Sequence, residues 1–155
     1  MAITKIHPIK STLNLAIDYI TKGEKTDNEI LVSSFKCNPI TAHTSFLRTR
    51  EDNQTRGNVL ARHLIQSFLP GETNAETAHE IGKKLCEQHL KNEYEYVLAT
   101  HVDRGHIHNH IIFNNVNKVT GKCYQSNKKS YHQIRNISDE LCRENKLSVI
   151  DPYYE

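Results

Sequence analysis

The stretch that most limits what this chain can fold into is His101–Asn115, HVDRGHIHNHIIFNN. An apolar, β-prone run precedes it, Tyr94–Thr100 (YEYVLAT), and it ends in a second, Ile111–Phe113; only Arg104-Gly105 breaks the pattern. Two strand-like runs joined by a short glycine-containing break specify a β-hairpin. With Arg104-Gly105 as the two-residue loop, Asp103 faces His106 and His101 faces His108. Strand alternation puts His101 and Asp103 on one face, and His106, His108 and His110 on one face. Opposed Cβ atoms lie about 4.5–5.5 Å apart and diagonal neighbours about 7–8 Å apart, so His101, His108 and His110 can converge on one cation. A slip of one residue would scramble that pairing, and the hairpin alone leaves the choice among His106, His108 and His110 open. Three imidazoles on a rigid hairpin, with coordination positions to spare, suit a divalent metal that must also hold substrate. The competing reading is a histidine-rich sheet face with no functional ion.

Length allows one domain with a real core: the chain has 155 residues, and a quarter of them are charged. No apolar run approaches the roughly 18–20 residues of a membrane span, and the N-terminus lacks the apolar core of a signal peptide, so a cytoplasmic protein is expected. Cys37, Cys86, Cys123 and Cys142 are widely spread, form no CxxC pair, and read as reduced thiols. The net charge of +2 is too small to announce nucleic acid. Its distribution says more: Asn117–Ser138 holds Lys118, Lys122, Lys128, Lys129 and Arg135, no acid, and the aromatics Tyr124 and Tyr131. Such a stretch fits a surface that tracks phosphates and stacks bases.

Taken in order, Ile3–Ile9 is a first strand that Pro8 ends or places at an edge. Ser11 or Thr12 caps a helix with Leu13, Ile17 and Ile20 inward and Tyr19 at its C-terminal end. Ile30–Phe35 is a second strand, Thr41–Arg50 a helix, and Glu51–Asn58 a polar loop. Ala61–Phe68 alternates as a third strand, with His63 and Gln66 on opposite faces. Thr73 or Asn74 caps a long helix, Glu76 completing a capping box with Thr73. After the hairpin, Cys123–Gln125 starts a short strand, and Ser130 caps a last helix, Tyr131–Asn145. About five strands and four helices in this order give an α+β fold: an antiparallel sheet with helices packed on it. The Pro152–Glu155 end offers no closing element, so residues 1–155 are expected to be the N-terminal domain of a longer protein.

The sequence has no GxSxG elbow and no phosphate-cradling P-loop, so a nucleophile must come from elsewhere. Among the tyrosines, Tyr94 and Tyr96 have the wrong parity to share a face with His101, whereas Tyr19 ends a helix beside a basic loop carrying Lys22 and Lys25.

His101-x-Asp103 followed by His108-x-His110 and Asn114 resembles the third motif of conjugative relaxases of the mobilisation-nuclease (MobA/VirD2-like) family, within the HUH endonucleases. Asp18-Tyr19-Ile20 with Glu24-Lys25-Thr26 resembles that family's first motif, in the form common in Gram-positive integrative elements. LVSSF (Leu31–Phe35) and HLIQSFLPGE (His63–Glu72) are similar to its sequences as well. The resemblance implies a five-stranded antiparallel core with helices on its faces. It implies that Tyr19 attacks a phosphodiester in single-stranded DNA at a transfer origin, leaving a 5′-phosphotyrosyl enzyme and a 3′-OH. His101, His108 and His110 match the ligands of a divalent metal, Mn2+ or Mg2+, and His106 falls in a variable gap. Asp103 would orient a ligand or accept the phenolic proton, orienting being the commoner role beside metal-bound imidazole. Lys22, Lys25, Arg62, Lys128, Lys129 and Arg135 are the candidates for DNA-backbone contacts, and accessory relaxosome proteins are the implied partners. A replication initiator or transposase of the wider group usually has its tyrosine helix after the metal motif, not before it as here. A non-catalytic single-stranded DNA-binding module with a structural metal is the remaining alternative.

Overall fold

The computed structural model describes residues 2–22, 31–103 and 106–149, with the backbone alone of Asp103. The chain runs β1 (Ala2–Ile9), α1 (Leu13–Ile20), β2 (Val32–Phe35), α2 (Ala42–Asp52), β3 (Ala61–Phe68), α3 (Ala75–Leu90), β4 (Tyr96–Asp103), β5 (His106–Asn114) and α4 (Lys128–Glu144). The strands form one five-stranded sheet in the order β1-β3-β5-β4-β2, and each neighbouring pair is antiparallel. The α+β architecture follows the apolar residues on both faces of β4 and β5 at the centre of the sheet, which demand cover on either side. Pro8 lies on β1, an edge strand, where its missing N–H costs no ladder hydrogen bond.

On one face, Leu64, Phe68, Leu98, Ile111 and Phe113 pack with Ile81 and Leu85 of α3 and with Ile134 and Leu141 of α4. On the other, Val97, Ala99 and Ile112 pack with Leu13, Ile17 and Ile20 of α1 and Phe46 of α2. This second core sits towards the β4 side. Ile3, Lys5 and His7 of β1 stay exposed, so α1 and α2 leave the β1–β3 part of the face open.

Element ends differ from expectation where capping chemistry decides. Thr12 precedes α1 in a left-handed conformation (φ 52°) and its side chain makes no capping bond; its hydroxyl donates to the Ser11 carbonyl. Asn74, not Thr73, caps α3 by accepting from the Thr77 N–H, so the Thr73/Glu76 box does not form. Asn127 and Ser130 cap each other's backbone reciprocally. That box starts α4 three residues before Tyr131 and draws Lys128 and Lys129 into its first turn. Helix α2 extends to Asp52, into the expected loop, and Cys123 makes only an isolated bridge to Val116. Ile30 lies outside the described residues.

Two buried polar systems hold the sheet in register. Glu95, fully buried just before β4, accepts at Oε1 from the Ser45 and Thr49 hydroxyls (2.8 and 2.9 Å) and from Lys118 Nζ (3.0 Å), and at Oε2 from Asn114 Nδ2 (2.8 Å). One carboxylate therefore ties α2, the end of β5 and the loop beyond it to the start of β4. The second system is a chain of hydrogen bonds across the α3–α4 face. The Ser33 hydroxyl donates to His79 Nε2 (2.7 Å), His79 Nδ1–H to Thr100 Oγ1 (2.7 Å), and the Thr100 hydroxyl to Asn109 Oδ1 (2.6 Å). Asn109 Nδ2 donates to Gln66 Oε1 (2.9 Å) and the Ala78 carbonyl (2.7 Å), and Gln66 Nε2 to Ser138 Oγ (2.8 Å). Burial lowers the His79 pKa, favouring the neutral tautomer this directionality requires. Gly82 lets α3 come this close: a Cβ there would stand 2.7 Å from Asn109 Nδ2.

A candidate metal centre beside Tyr19

The hairpin pairs in the register that its two-residue break specifies. His101 is opposite His108 and Asp103 is opposite His106. Alternation then brings His101, His108 and His110 together on the α1–α2 face, each offering a ring nitrogen, with the ligand atoms all within 4.8 Å of one another. Ring centroids are 4.1 Å apart for His101–His110, 5.1 Å for His108–His110 and 5.6 Å for His101–His108. His106 is exposed at the hairpin end and is not part of the cluster. Among the described residues this is the one such cluster of potential ligands.

The hydrogen bonds around the rings fit a cation. His101 Nε2 lies 2.7 Å from the Ile20 carbonyl, so it is the protonated nitrogen and Nδ1 carries the lone pair. His110 Nε2 lies 3.0 Å from His108 Nδ1, while its Nδ1 lies 2.8 Å from His63 Nε2. Two of the three rings thus have their second nitrogen held by an outer partner, the usual arrangement behind ligating imidazoles. Burial, reinforced by His7 and His101, pushes the His63 pKa down to about 4, so this ring is neutral at pH 7. All-imidazole ligation suits a divalent transition ion with positions left open.

Among the described tyrosines, Tyr19 is the one that the fold brings to this cluster. It occupies the last turn of α1, is 48% exposed, and meets the His101 ring edge-on at 6.2 Å. Its neighbour Ile20 supplies the carbonyl that His101 holds, so the helix end and the cluster are joined directly. Lys22 Nζ stands 5.8 Å from the Tyr19 ring. Tyr94, Tyr96 and Tyr124 belong to the opposite core, and burial raises the pKa of all three, which disfavours their phenolates. Tyr131 donates its hydroxyl to the Thr4 carbonyl across the sheet. Burial likewise raises the thiols of Cys37, to about 11, and of Cys86 and Cys142, and no disulfide joins the described cysteines.

The other sequence candidates are not all brought together. Lys22 is beside Tyr19, and Lys25 lies outside the described residues. Arg62 is on the α3–α4 face: its Nε donates to Asn115 Oδ1 (3.0 Å) and its guanidinium lies 6.0 Å from the Tyr124 ring. Lys128, Lys129 and Arg135 ride on α4, which covers that same face, so the sheet separates these four cations from the histidines. Reading basic residues along the sequence without assigning faces could not detect that separation. The same reading missed Lys5 and His7, which share the open strip with Ile65 and Ser67; in register, Ile65 pairs with His110 and Ser67 with His108. Strand parity carried the signal for both. A cleft of about 380 Å3 beside α1, lined by Asp18, Thr21, Val32 and Asn38–Ile40, is distinct from the cluster, whose His101 and His110 are buried.

The model of the relaxase family, MobA/VirD2-like, nuclease domain, matches residues 19–147. The chain belongs to that family. Two proteins named Rlx from Staphylococcus aureus are 36% identical over 151 residues and 39% identical over 149 residues, covering 97% and 96% of this chain and 46% and 44% of their own lengths. The "Group II intron-interrupted relaxase LtrB" of Lactococcus lactis is 47% identical over 92 residues, 58% of this chain and 16% of its own length. The chain therefore spans less than half the length of the curated relatives it matches. A solved structure described as "Molecular Basis of Vancomycin Resistance Transfer in Staphylococcus aureus" shares the fold, with a TM-score of 0.65 at 15% identity over 99% of this chain and 100% of the other. No described helix is long and apolar enough to cross a membrane.

Proposed function

We propose that this relaxase-family domain nicks one strand of DNA at a transfer origin by transesterification, with Tyr19 as the nucleophile. The observation that carries the reading is the bond from His101 to the Ile20 carbonyl, which fastens the end of the tyrosine helix to the histidine cluster. In the reaction the Tyr19 hydroxyl gives up its proton to a base, and its oxygen forms a new bond to phosphorus while the bond from phosphorus to the 3′ oxygen breaks. The 3′ oxygen takes up a proton and leaves as a hydroxyl, and the 5′ phosphate stays on the tyrosine. Rejoining reverses the same exchange and needs no nucleotide, in keeping with a sequence that has no P-loop.

A phenol with its ordinary pKa of about 10 is a weak nucleophile at pH 7. His101, His108 and His110 would hold Mn2+ or Mg2+, which when bound supplies charge neutralisation for the scissile phosphate and electrostatic help for the phenolate. Asp103, opposite His106 at the end of β4, is assigned to orienting a histidine ligand, with acceptance of the phenolic proton as its alternative role. Lys22, beside the Tyr19 ring, would meet a phosphate of the bound strand. Lys25 is proposed to act alongside it. The open β1–β3 strip, with Ile3, Lys5 and His7 exposed, offers single-stranded DNA a path towards the histidines. Arg62, Lys128, Lys129 and Arg135 would contact DNA only where it wraps to the other face. The substrate encounter would take place in the cytoplasm, with accessory relaxosome proteins opening the duplex.

The test is a covalent trap with single-stranded oligonucleotides tiling the transfer origin, in Mn2+. An SDS-resistant adduct is expected with the wild-type chain. Tyr19→Phe should abolish it while DNA binding persists. An undiminished adduct in that variant would move the nucleophile elsewhere, and the absence of any wild-type adduct would favour a DNA-binding module with a structural metal.

A further inference from the structure

We infer that His63 is a positioning residue that fixes which nitrogen of His110 faces the cation. The inference rests on the metal reading of the His101–His108–His110 cluster given above. His63 lies on β3 opposite Ile112, while Ile65 is opposite His110. His63 and His110 are thus diagonal neighbours on adjacent strands, about 7–8 Å apart and somewhat less at Cβ, a separation that two imidazoles can bridge nitrogen to nitrogen. Their rings do so, with centroids 5.0 Å apart and His63 Nε2 2.8 Å from His110 Nδ1.

Only one direction of that bond is compatible with a ligand. His110 turns Nε2 towards His108 Nδ1, at 3.0 Å, inside the cluster. A neutral imidazole carries one N–H, so if Nε2 is to offer a lone pair, Nδ1 must hold the proton and donate it. His63 is then the acceptor through Nε2, with its own proton on Nδ1. The contact is made to the outward nitrogen of His110, which places His63 behind a ligand. It is accordingly not among the three rings whose ligand atoms converge. An imidazole here fills a position where a carboxylate or a carbonyl is the common partner. Without an acceptor at this place, His110 loses the bond that selects the Nδ1–H tautomer and fixes the ring's rotation.

Three variants of the 155-residue chain test this. His63→Phe keeps a ring of similar size and removes the acceptor; His63→Gln restores an acceptor oxygen; His108→Ala removes a ligand. Calorimetric titration with Mn2+ should show His63→Phe binding about 10–100-fold more weakly than wild type, the range for loss of an outer-shell partner. His63→Gln should stay within about 3-fold of wild type, and metal-free thermal unfolding checks that each variant is folded. Equal affinity in wild type and His63→Phe would overturn the inference, as would a folded His63→Gln no better than His63→Phe. Nitrogen-15 spectra of the Zn2+-loaded wild-type chain give an answer that needs no substitution at position 63. A protonated Nδ1 and a metal-shifted Nε2 are expected for His110, and the reverse assignment overturns the inference. Tight Mn2+ binding by His108→Ala would instead remove the metal reading on which all of this stands. The covalent trap tests Tyr19 separately.

Discussion

Asn109→Ala is the substitution that tests whether the far face of the sheet sets the geometry of the near one. Asn109 sits between His108 and His110 but points the other way, into the α3–α4 core, fully buried. Its removal leaves the Thr100 hydroxyl and Gln66 Oε1 without their partner; the Ala78 carbonyl also loses a bond but keeps its place in the hydrogen-bond ladder of α3. Each buried group left unsatisfied costs about 1–3 kcal/mol. Thr100 keeps its bond from His79, and water can enter the space vacated beneath Gly82, so the lower half of the range summed over two groups applies, about 2–4 kcal/mol. For a domain whose total stability is about 5–15 kcal/mol, that is a large fraction. At about 2–4 °C per kcal/mol for a chain of this size, the melting temperature should fall by on the order of 10 °C. Ser138→Ala, at the terminus of the chain of bonds, removes one partner of Gln66 and should cost about 1 kcal/mol. Urea denaturation of the metal-free protein, run as a double-mutant cycle with Gln66→Ala, should return a coupling of about 1 kcal/mol or more, because the two side chains share a hydrogen bond. A loss below about 1 kcal/mol for Asn109→Ala, or additive single losses, would refute the idea that these polar groups act as one system.

Further predictions concern burial and charge. Glu95→Ala should cost about 2–4 kcal/mol by denaturant titration, since Asn114 and Thr49 lose a buried acceptor; Lys118, 42% exposed, adds little to that loss. A wild-type-like midpoint would mean that the carboxylate does not join α2 to the sheet. The metal-free protein should lose stability as pH falls. Burial lowers the pKa of His79 and His89, and lowers His63 to about 4, so below about 6.5 the unfolded chain binds more protons than the folded one. Thermal midpoints should decline from pH 7 to pH 4, and a flat profile would contradict neutral, buried rings.

The sequence makes the hairpin legible because the constraint there is local. With Arg104-Gly105 taken as the two-residue loop, one register follows, and it puts His101 opposite His108, as found. Tyr19 at the end of α1 is legible as well, because three inward apolar residues fix the helix phase. What brings Tyr19 to the histidines is not local: the sheet order β1-β3-β5-β4-β2 carries the chain between strands that are not consecutive, and no periodicity encodes that order. The basic residues show the same limit. Arg62 and Lys5 look alike in a count of charges, yet one stacks over Tyr124 on the helix-covered face and the other lies on the open strip.

Gln66, Thr100 and Asn109 mislead in the opposite sense, since polar residues alternating with apolar ones suggest a solvated face. They are buried, and their burial has a consequence for the site. Where a strand is apolar on both faces, as β5 is at Ile111, Ile112 and Phe113, a one-residue slip exchanges one apolar side chain for another. Apolar contacts alone then specify the register less strongly. A slip of β5 against β4 would part Asn109 from Thr100, and a slip against β3 would part it from Gln66, orphaning donors and acceptors in the core. The same slip would carry His108 and His110 to the wrong face. The polar chain beneath the sheet therefore penalises the one misfolded register that would abolish the candidate metal centre, and it does so from residues adjacent in sequence to all three histidines.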